Sequence, residues 1–221
     1  MTEAALLDDH MLDLARRIVA KYPNKRSAAL PLLFLVQSIE GHVTERGMRA
    51  VAEFLDLETA EVLATGSFYT MLKQRPQGEY LISVCRNITC THLGARRLFG
   101  ALEERLGVPT GGTTPDGKFS LEAAECLATC DGAPSMQINY EDFYRMTPEA
   151  AVEIVDRLAR GDEVRSVRGE VVKNARGVAL ETAAAGARFA AAPEETARTI
   201  GGESPRADTA PGFRPKEPGD A

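Results

Sequence analysis

The chain has 221 residues, 44% of them hydrophobic, and a formal net charge of −6. That length accommodates one large or two small domains with a core that needs no disulfide staples, and the acid excess argues against non-specific nucleic-acid binding. The opening MTEAALLDDH carries Glu3, Asp8 and Asp9 and no apolar h-region, so neither a secretory signal nor a mitochondrial transit peptide is expected.

The first third reads as helices. Leu14, Ile18 and Val19 recur at helical spacing, with Lys21, Lys25 and Arg26 closing or following that helix. Ser27 is the expected cap of SAALPLLFLVQSIE, where Pro31 is tolerated near the first turn. The apolar run Ala28 to Val36 is interrupted by that proline and falls well short of the ~20 residues of a membrane span, so no direct span is expected. Thr44 caps TERGMRAVAEFL, whose Met48, Val51, Ala52 and Leu55 form one stripe, and Thr59 starts a further short helix. Phe68 and Tyr69 are expected in the core or at a domain junction. Residues 1–75 are therefore expected to form an N-terminal helical region.

Near Gly78 the pattern changes. Tyr80, Ile82 and Val84 alternate along a strand that ends at Cys85. A helix is expected over THLGARRLFGALEERLG, opened by Cys90, with Ala95, Leu98, Phe99, Leu102 and Leu106 on one face and Gly107 as its stop. TGGTTPDGK is turn chemistry. A second strand, KFSLEAAEC, alternates Phe119, Leu121 and Ala123 against Ser120, Glu122 and Ala124 and runs into Cys126. A third strand, SMQINY, follows Pro134. Thr147, Pro148 and Glu149 then begin a helix with Ala151, Ile154, Val155 and Leu158 on its buried face and Gly161 at its end. Residues 76–161 are expected to form an α/β layer with cysteines at strand ends, giving an α+β chain. Residues 162–221 are rich in Ala, Gly and Pro and are expected to be a disordered or partner-bound tail, with VVKNARGVALETAAAGARF as a candidate helix against a partner.

The chemistry lies in the four cysteines, Cys85 and Cys90 in CRNITC and Cys126 and Cys130 in CLATC. In a reducing cytoplasm paired cysteines serve as ligands or redox groups more often than as disulfides. Three chemistries compete. Structural zinc favours C-x2-C knuckles, which both pairs lack. A thiol–disulfide enzyme needs C-x-x-C at a helix start, also lacking. An iron–sulfur cluster of the [2Fe–2S] type takes two thiolates per iron, which two pairs supply. Such a cluster carries a charge of about −2 when oxidised and calls for nearby donors and positive potential. A helix N-terminus at Cys90 and the Arg86 cation between the first two cysteines are candidates. His92 reads as an exposed first-turn residue, and Arg96 and Arg97 as a solvated helix face.

CRNITCTHLGARRL and FSLEAAECLATCDGAPSMQINYEDFYRMTPEA resemble the thioredoxin-like [2Fe–2S] ferredoxin subunit of NADH-quinone oxidoreductase, respiratory complex I. The shared pattern is C-x4-C, about thirty-five residues, then E-C-x3-C, Ala-Pro and Gln-Ile-Asn, and the upstream helical segment is similar as well. The resemblance spans about residues 10–161. It implies an N-terminal helical bundle followed by a thioredoxin-like domain, with Cys85, Cys90, Cys126 and Cys130 as ligands of one [2Fe–2S] cluster. It implies that FMN and the NADH site belong to a flavin-binding, NADH-oxidising partner subunit, beside other peripheral-arm subunits, since this chain has no Gly-rich dinucleotide fingerprint. The implied role is electron transfer as one subunit of an oxidoreductase translocase, with no complete active site on this chain. The implied place is the bacterial cytoplasm, at the inner face of the cytoplasmic membrane. Homologous subunits in NAD-linked hydrogenases and formate dehydrogenases are the alternative, with a zinc-binding interaction module as the other.

Overall fold

Four of the apolar stripes become helices in the structure, a computed structural model that describes residues 9–189. They are α1 (Asp9–Val19), α2 (Ala29–Glu40), α3 (Glu45–Leu55) and α4 (Thr59–Phe68). Helix α2 is buried along most of its length, from Leu32 through Gln37, because its neighbours surround it. It starts later than expected. A short 3-10 turn, Lys25–Ala28, comes first and is capped by the Asn24 side chain, which accepts from the Arg26 N–H, so Ser27 is not the cap. Pro31 then sits in the first turn of α2, where its missing N–H has no partner to lose. Thr44 caps α3 as expected, accepting from the Gly47 N–H at 2.9 Å. Gly47 has a second reason to be glycine. A Cβ there would stand 2.2 Å from Val36 Cγ1, so its absence lets α3 press against α2.

Two aromatics depart from expectation. Phe68 is 77% exposed and Tyr69 is also exposed, the two rings meeting edge to face at 5.2 Å. Helix α4 ends there, and its buried side is carried by Val62 and Gly66 instead.

The second part of the chain builds a four-stranded sheet from β1 (Tyr80–Cys85), β2 (Phe119–Ala124), β3 (Met136–Ile138) and β4 (Glu141–Phe143), in the order β2-β1-β3-β4. Strands β1 and β2 are parallel, in register from Tyr80–Phe119 to Cys85–Ala124. The β1–β3 and β3–β4 pairs are antiparallel. The alternation read along β1 proves too simple, since Leu81 through Cys85 are all buried. As an inner strand, β1 is covered on both faces. One face meets α6 (Ala95–Leu106) and α7 (Pro148–Arg160), and on the other Leu81 shares the wall of a small cavity with Phe34 and residues of the C-terminal segment.

The single helix expected after Cys85 is broken. Gly94, at φ +115°, separates a five-residue α5 (Ile88–His92) from α6. Asn87 caps α5, so Cys90 is its third residue and does not open it. The ends of α6 at Gly107 and α7 at Gly161 fall where expected, both glycines left-handed, and Thr147 caps α7 by accepting from the Ala150 N–H.

Strands β3 and β4 are joined by Asn139 and Tyr140, both at positive φ (48° and 72°), the type I′ hairpin pattern. Asn139 is buried and fully engaged. Its Oδ1 accepts from the Leu81 N–H at 2.8 Å, while its Nδ2 donates to the Glu79 carbonyl at 2.9 Å and the Lys173 carbonyl at 2.7 Å. The Tyr140 hydroxyl, largely desolvated and with the Glu122 carboxylate adding to the effect, has its pKa pushed up to about 12.

The expectation of a loose tail from residue 162 needs correction. Val164 and Val172 lie in the core beneath the sheet. Helix α8 (Ala175–Phe189) packs across α2 and α1, burying Ala179 and Ala183 in the helical core. The partner of this helix is therefore the chain's own N-terminal region. Large apolar side chains are sparse in α8 because alanines at i, i+4 allow close helix packing, a contact that a search for bulky stripes overlooks. The remainder of the expected tail, residues 190–221, lies outside the described residues. No helix among the described residues is long and apolar enough to cross a membrane.

Candidate metal centre

Parallel pairing of β1 and β2 decides where the cysteines go. Cys85 ends β1 opposite Ala124, and the Arg86 N–H continues the ladder to the Ala124 carbonyl at 2.9 Å. Cys126 follows two residues later. Both cysteine segments thus leave the sheet at the same end, side by side. That is the edge where a parallel crossover fold presents its loops.

The two pairs differ in setting. Cys85 and Cys90 are 3% and 2% exposed, whereas Cys126 and Cys130 are exposed; all four are free thiols. Asn87 accepts from the Ile88 N–H at 2.8 Å, and the Thr91 hydroxyl donates back to the Arg86 carbonyl at 2.8 Å, so the segment between Cys85 and Cys90 is held by the side chains of Asn87 and Thr91.

The second loop is shaped by backbone. Ala128 takes φ +58°, and its N–H donates to Cys126 Sγ at 3.3 Å. Cys130 opens a short 3-10 turn ending at Gly132. A Cβ on Gly132 would lie 2.4 Å from Cγ of Tyr144, so only glycine lets this turn close over that ring. The Gly132 carbonyl accepts from the Arg145 N–H at 2.7 Å, and the Pro134 carbonyl accepts from the Met146 N–H at 2.9 Å, with the Ala133–Pro134 peptide cis.

Ser135 joins the two segments. Its carbonyl accepts from the Cys85 N–H at 3.2 Å, its hydroxyl oxygen accepts from Thr129 Oγ1 at 2.7 Å, and that oxygen lies 3.6 Å from Cys90 Sγ. Nothing in the sequence pattern marked this residue. Asn87 could have been found, since asparagine before a short helix is a capping signature.

The charges near the site are partly cancelled. Arg86, expected as a source of positive potential, forms an exposed ion pair with Glu125, the residue before Cys126. His92, Arg96 and Arg97 are exposed, as expected. Ile88, 73% exposed, and Leu93, also exposed, are large apolar side chains open to solvent on either side of Cys90 in the sequence. Among the described residues no three His, Cys, Asp or Glu side chains group tightly enough to hold one metal ion, whereas each iron of a [2Fe–2S] cluster takes only two thiolates. The donor set nevertheless fits a binuclear cluster. Four free thiols, two buried and two open, stand on adjoining segments with a backbone N–H and a hydroxyl already on two of the sulfurs.

Comparison with known proteins bears on this arrangement. The family model described as thioredoxin-like [2Fe–2S] ferredoxin matches residues 15–159. The chain is 48% identical over 144 residues to the E-type subunit of NADH-quinone oxidoreductase of Mycobacterium tuberculosis, covering 65% of this chain and 57% of that protein. It thus spans little more than half the length of that relative. It is 34% identical over 149 residues to an E-type subunit of NADH-quinone oxidoreductase of Rhizobium meliloti, covering 67% of this chain and 88% of that one. Among solved structures, an NAD+-reducing [NiFe]-hydrogenase in the air-oxidised state aligns at a TM-score of 0.49 and 22% identity, over 52% of this chain and 20% of that chain. With the paired cysteines at one end of a β2-β1-β3-β4 sheet and a family match running from α1 through α7, the chain belongs to the thioredoxin-like [2Fe–2S] ferredoxin family.

Proposed function

We propose that Cys85, Cys90, Cys126 and Cys130 hold one [2Fe–2S] cluster, and that the chain is the electron-transfer subunit of the NADH-oxidising module of an NADH-quinone oxidoreductase. The observation that carries this reading is the placement of four free thiols on adjoining segments at one sheet end, within a family of [2Fe–2S] ferredoxins. The names of the relatives supply the parent complex.

When bound, a [2Fe–2S] cluster takes up and returns one electron at a time. The chain's own residues set the conditions. Burial of Cys85 and Cys90 keeps water from that side, while exposure of Cys126 and Cys130 leaves a short path to a partner. Ala128 N–H and the Ser135 hydroxyl stand beside sulfur and offset negative charge there. The exposed Ile88 and Leu93 give a partner an apolar surface next to the site. That partner is a flavin-binding, NADH-oxidising subunit whose FMN exchanges electrons with this chain, alongside other peripheral-arm subunits. The assembly works in the bacterial cytoplasm at the inner face of the membrane.

Affinity capture of the tagged chain from its native cells tests the assignment. It should bring down a flavoprotein that carries FMN and oxidises NADH, together with quinone-reducing activity. Capture of hydrogenase or formate dehydrogenase subunits in its place would move the same fold to a different parent enzyme.

A further inference from the structure

We infer that Ser135 sets the reduction potential of the cluster by donating its hydroxyl proton to the Cys90 sulfur, an inference that rests on the ligand reading above. Three features of the geometry direct that proton. Ser135 is 1% exposed, so water does not compete for it. Thr129 Oγ1, itself buried, donates to Ser135 Oγ at 2.7 Å, which occupies the oxygen as acceptor and leaves the serine proton free to be given onward. Cys90 Sγ, 3.6 Å away, is the group it meets, at a separation suited to the larger radius of sulfur. In the free thiol either atom can donate. A ligating sulfur is a thiolate and can only accept, so metal binding fixes the direction from serine to cysteine.

The backbone holds this donor in place. The Ser135 carbonyl receives the Cys85 N–H at 3.2 Å, and β3 begins at the next residue, so the Ser135 backbone is fixed beside Cys85, while the bond from Thr129 Oγ1 holds the hydroxyl's own rotamer. Thr129 lies one residue before Cys130. The relay Thr129–Ser135–Cys90 therefore connects the second cysteine loop to a sulfur of the first.

Its electrostatic effect has a definite sign. Reduction adds one electron and no proton; the hydroxyl proton stays on Ser135 Oγ and no protein bond forms or breaks. A donor aimed at sulfur stabilises the more negative, reduced state and raises the potential. At a buried site the effect is less screened than in water. The Arg86 cation contributes little in comparison, being exposed and paired with Glu125.

The test is a redox titration of the full chain, purified anaerobically and followed by electron paramagnetic resonance. It compares wild type, Ser135→Ala, and the nearly isosteric pair Ser135→Thr and Ser135→Val. At the potential where wild type is half reduced, Ser135→Ala should show a reduced-to-oxidised ratio lower by about tenfold, equal to about 59 mV for a one-electron couple. Iron and sulfide content should be unchanged. Ser135→Thr should titrate near wild type and Ser135→Val near Ser135→Ala. Thr129→Val should shift in the same direction by less. Should Ser135→Ala fail to load the cluster, the Thr and Val variants decide by themselves, since they differ only in the hydroxyl. Equal potentials across variants that all carry the signal overturn the role of Ser135 while leaving the ligand reading intact. A wild-type protein without a [2Fe–2S] signal overturns both.

Discussion

Cys126→Ser should lower the iron and acid-labile sulfide bound per chain by about tenfold or more, because even outer-shell changes cost 10–100-fold in metal affinity and this one removes a proposed ligand. The fold should survive. Cys126 is exposed, its sulfur receives only the Ala128 N–H among the hydrogen bonds described, and serine can accept that bond. Far-ultraviolet circular dichroism should therefore match wild type while the visible spectrum fades. His92→Ala is the control, since His92 is the exposed last residue of α5 and the sulfurs do not need it. Iron analysis of the two variants side by side settles the point. Equal loss from both would mean that the ligand set is misassigned.

Asn139→Ala should be among the most destabilising single substitutions away from the cysteines, by about 3–5 kcal/mol in urea unfolding. One side chain satisfies the Leu81 N–H and the carbonyls of Glu79 and Lys173. Alanine leaves the buried Leu81 N–H without a partner, at about 1–3 kcal/mol, and removes the donor to the Lys173 carbonyl, while the Glu79 carbonyl keeps the Ala175 N–H at 2.8 Å. It also puts a residue with no local hydrogen-bonding side chain at φ +48°, a conformation that asparagine tolerates better. The contact to Lys173 adds a wider effect. It fastens the segment leading into α8 to β1, and so couples the sheet to the helical region on which α8 rests. Asn139→Asp, which keeps the acceptor but turns a buried carboxylate oxygen toward both carbonyls, should cost at least as much as alanine at neutral pH. A loss under about 1 kcal/mol for Asn139→Ala would show that water takes over these bonds.

Much of the architecture could be read from local chemistry. Thr44, Thr147, Gly107 and Gly161 mark helix ends through side-chain caps or left-handed backbone, devices that act within a few residues. The cysteine spacing was legible for a similar reason, since ligand type and spacing are sequence properties. The features that escaped depend on distant neighbours. Whether β1 alternates or is buried throughout turns on which strands and helices flank it, and here both faces are covered. Helix α8 was a candidate in the sequence, but its docking on the chain's own α2 escaped because its buried residues are alanines, whose value lies in how closely α2 can approach. Phe68 and Tyr69 were expected in the core or at a domain junction, yet both are exposed and α4 turns Val62 and Gly66 inward. Ser135 lies in a strand-entry segment with no motif of its own, and only the sheet's register brings it to Cys85 and Cys90.

The same division explains the site. Sequence supplies four thiols in two pairs, and the parallel β1–β2 ladder brings the pairs to one edge. The exposed Arg86–Glu125 pair weakens one expected source of positive potential, and the short α5 weakens the other, since five residues make only a small helix dipole. On the proposed ligand reading, the donors that remain beside sulfur are the Ala128 N–H and the Ser135 hydroxyl.

Electron paramagnetic resonance of the full chain, purified anaerobically and reduced with dithionite, tests the central claim most directly. The four cysteines are predicted to give a spin-one-half [2Fe–2S] signal integrating to about one spin per chain, with about two irons and two sulfides. Colourless protein that stays silent after reduction and carries zinc in place of iron would contradict the account.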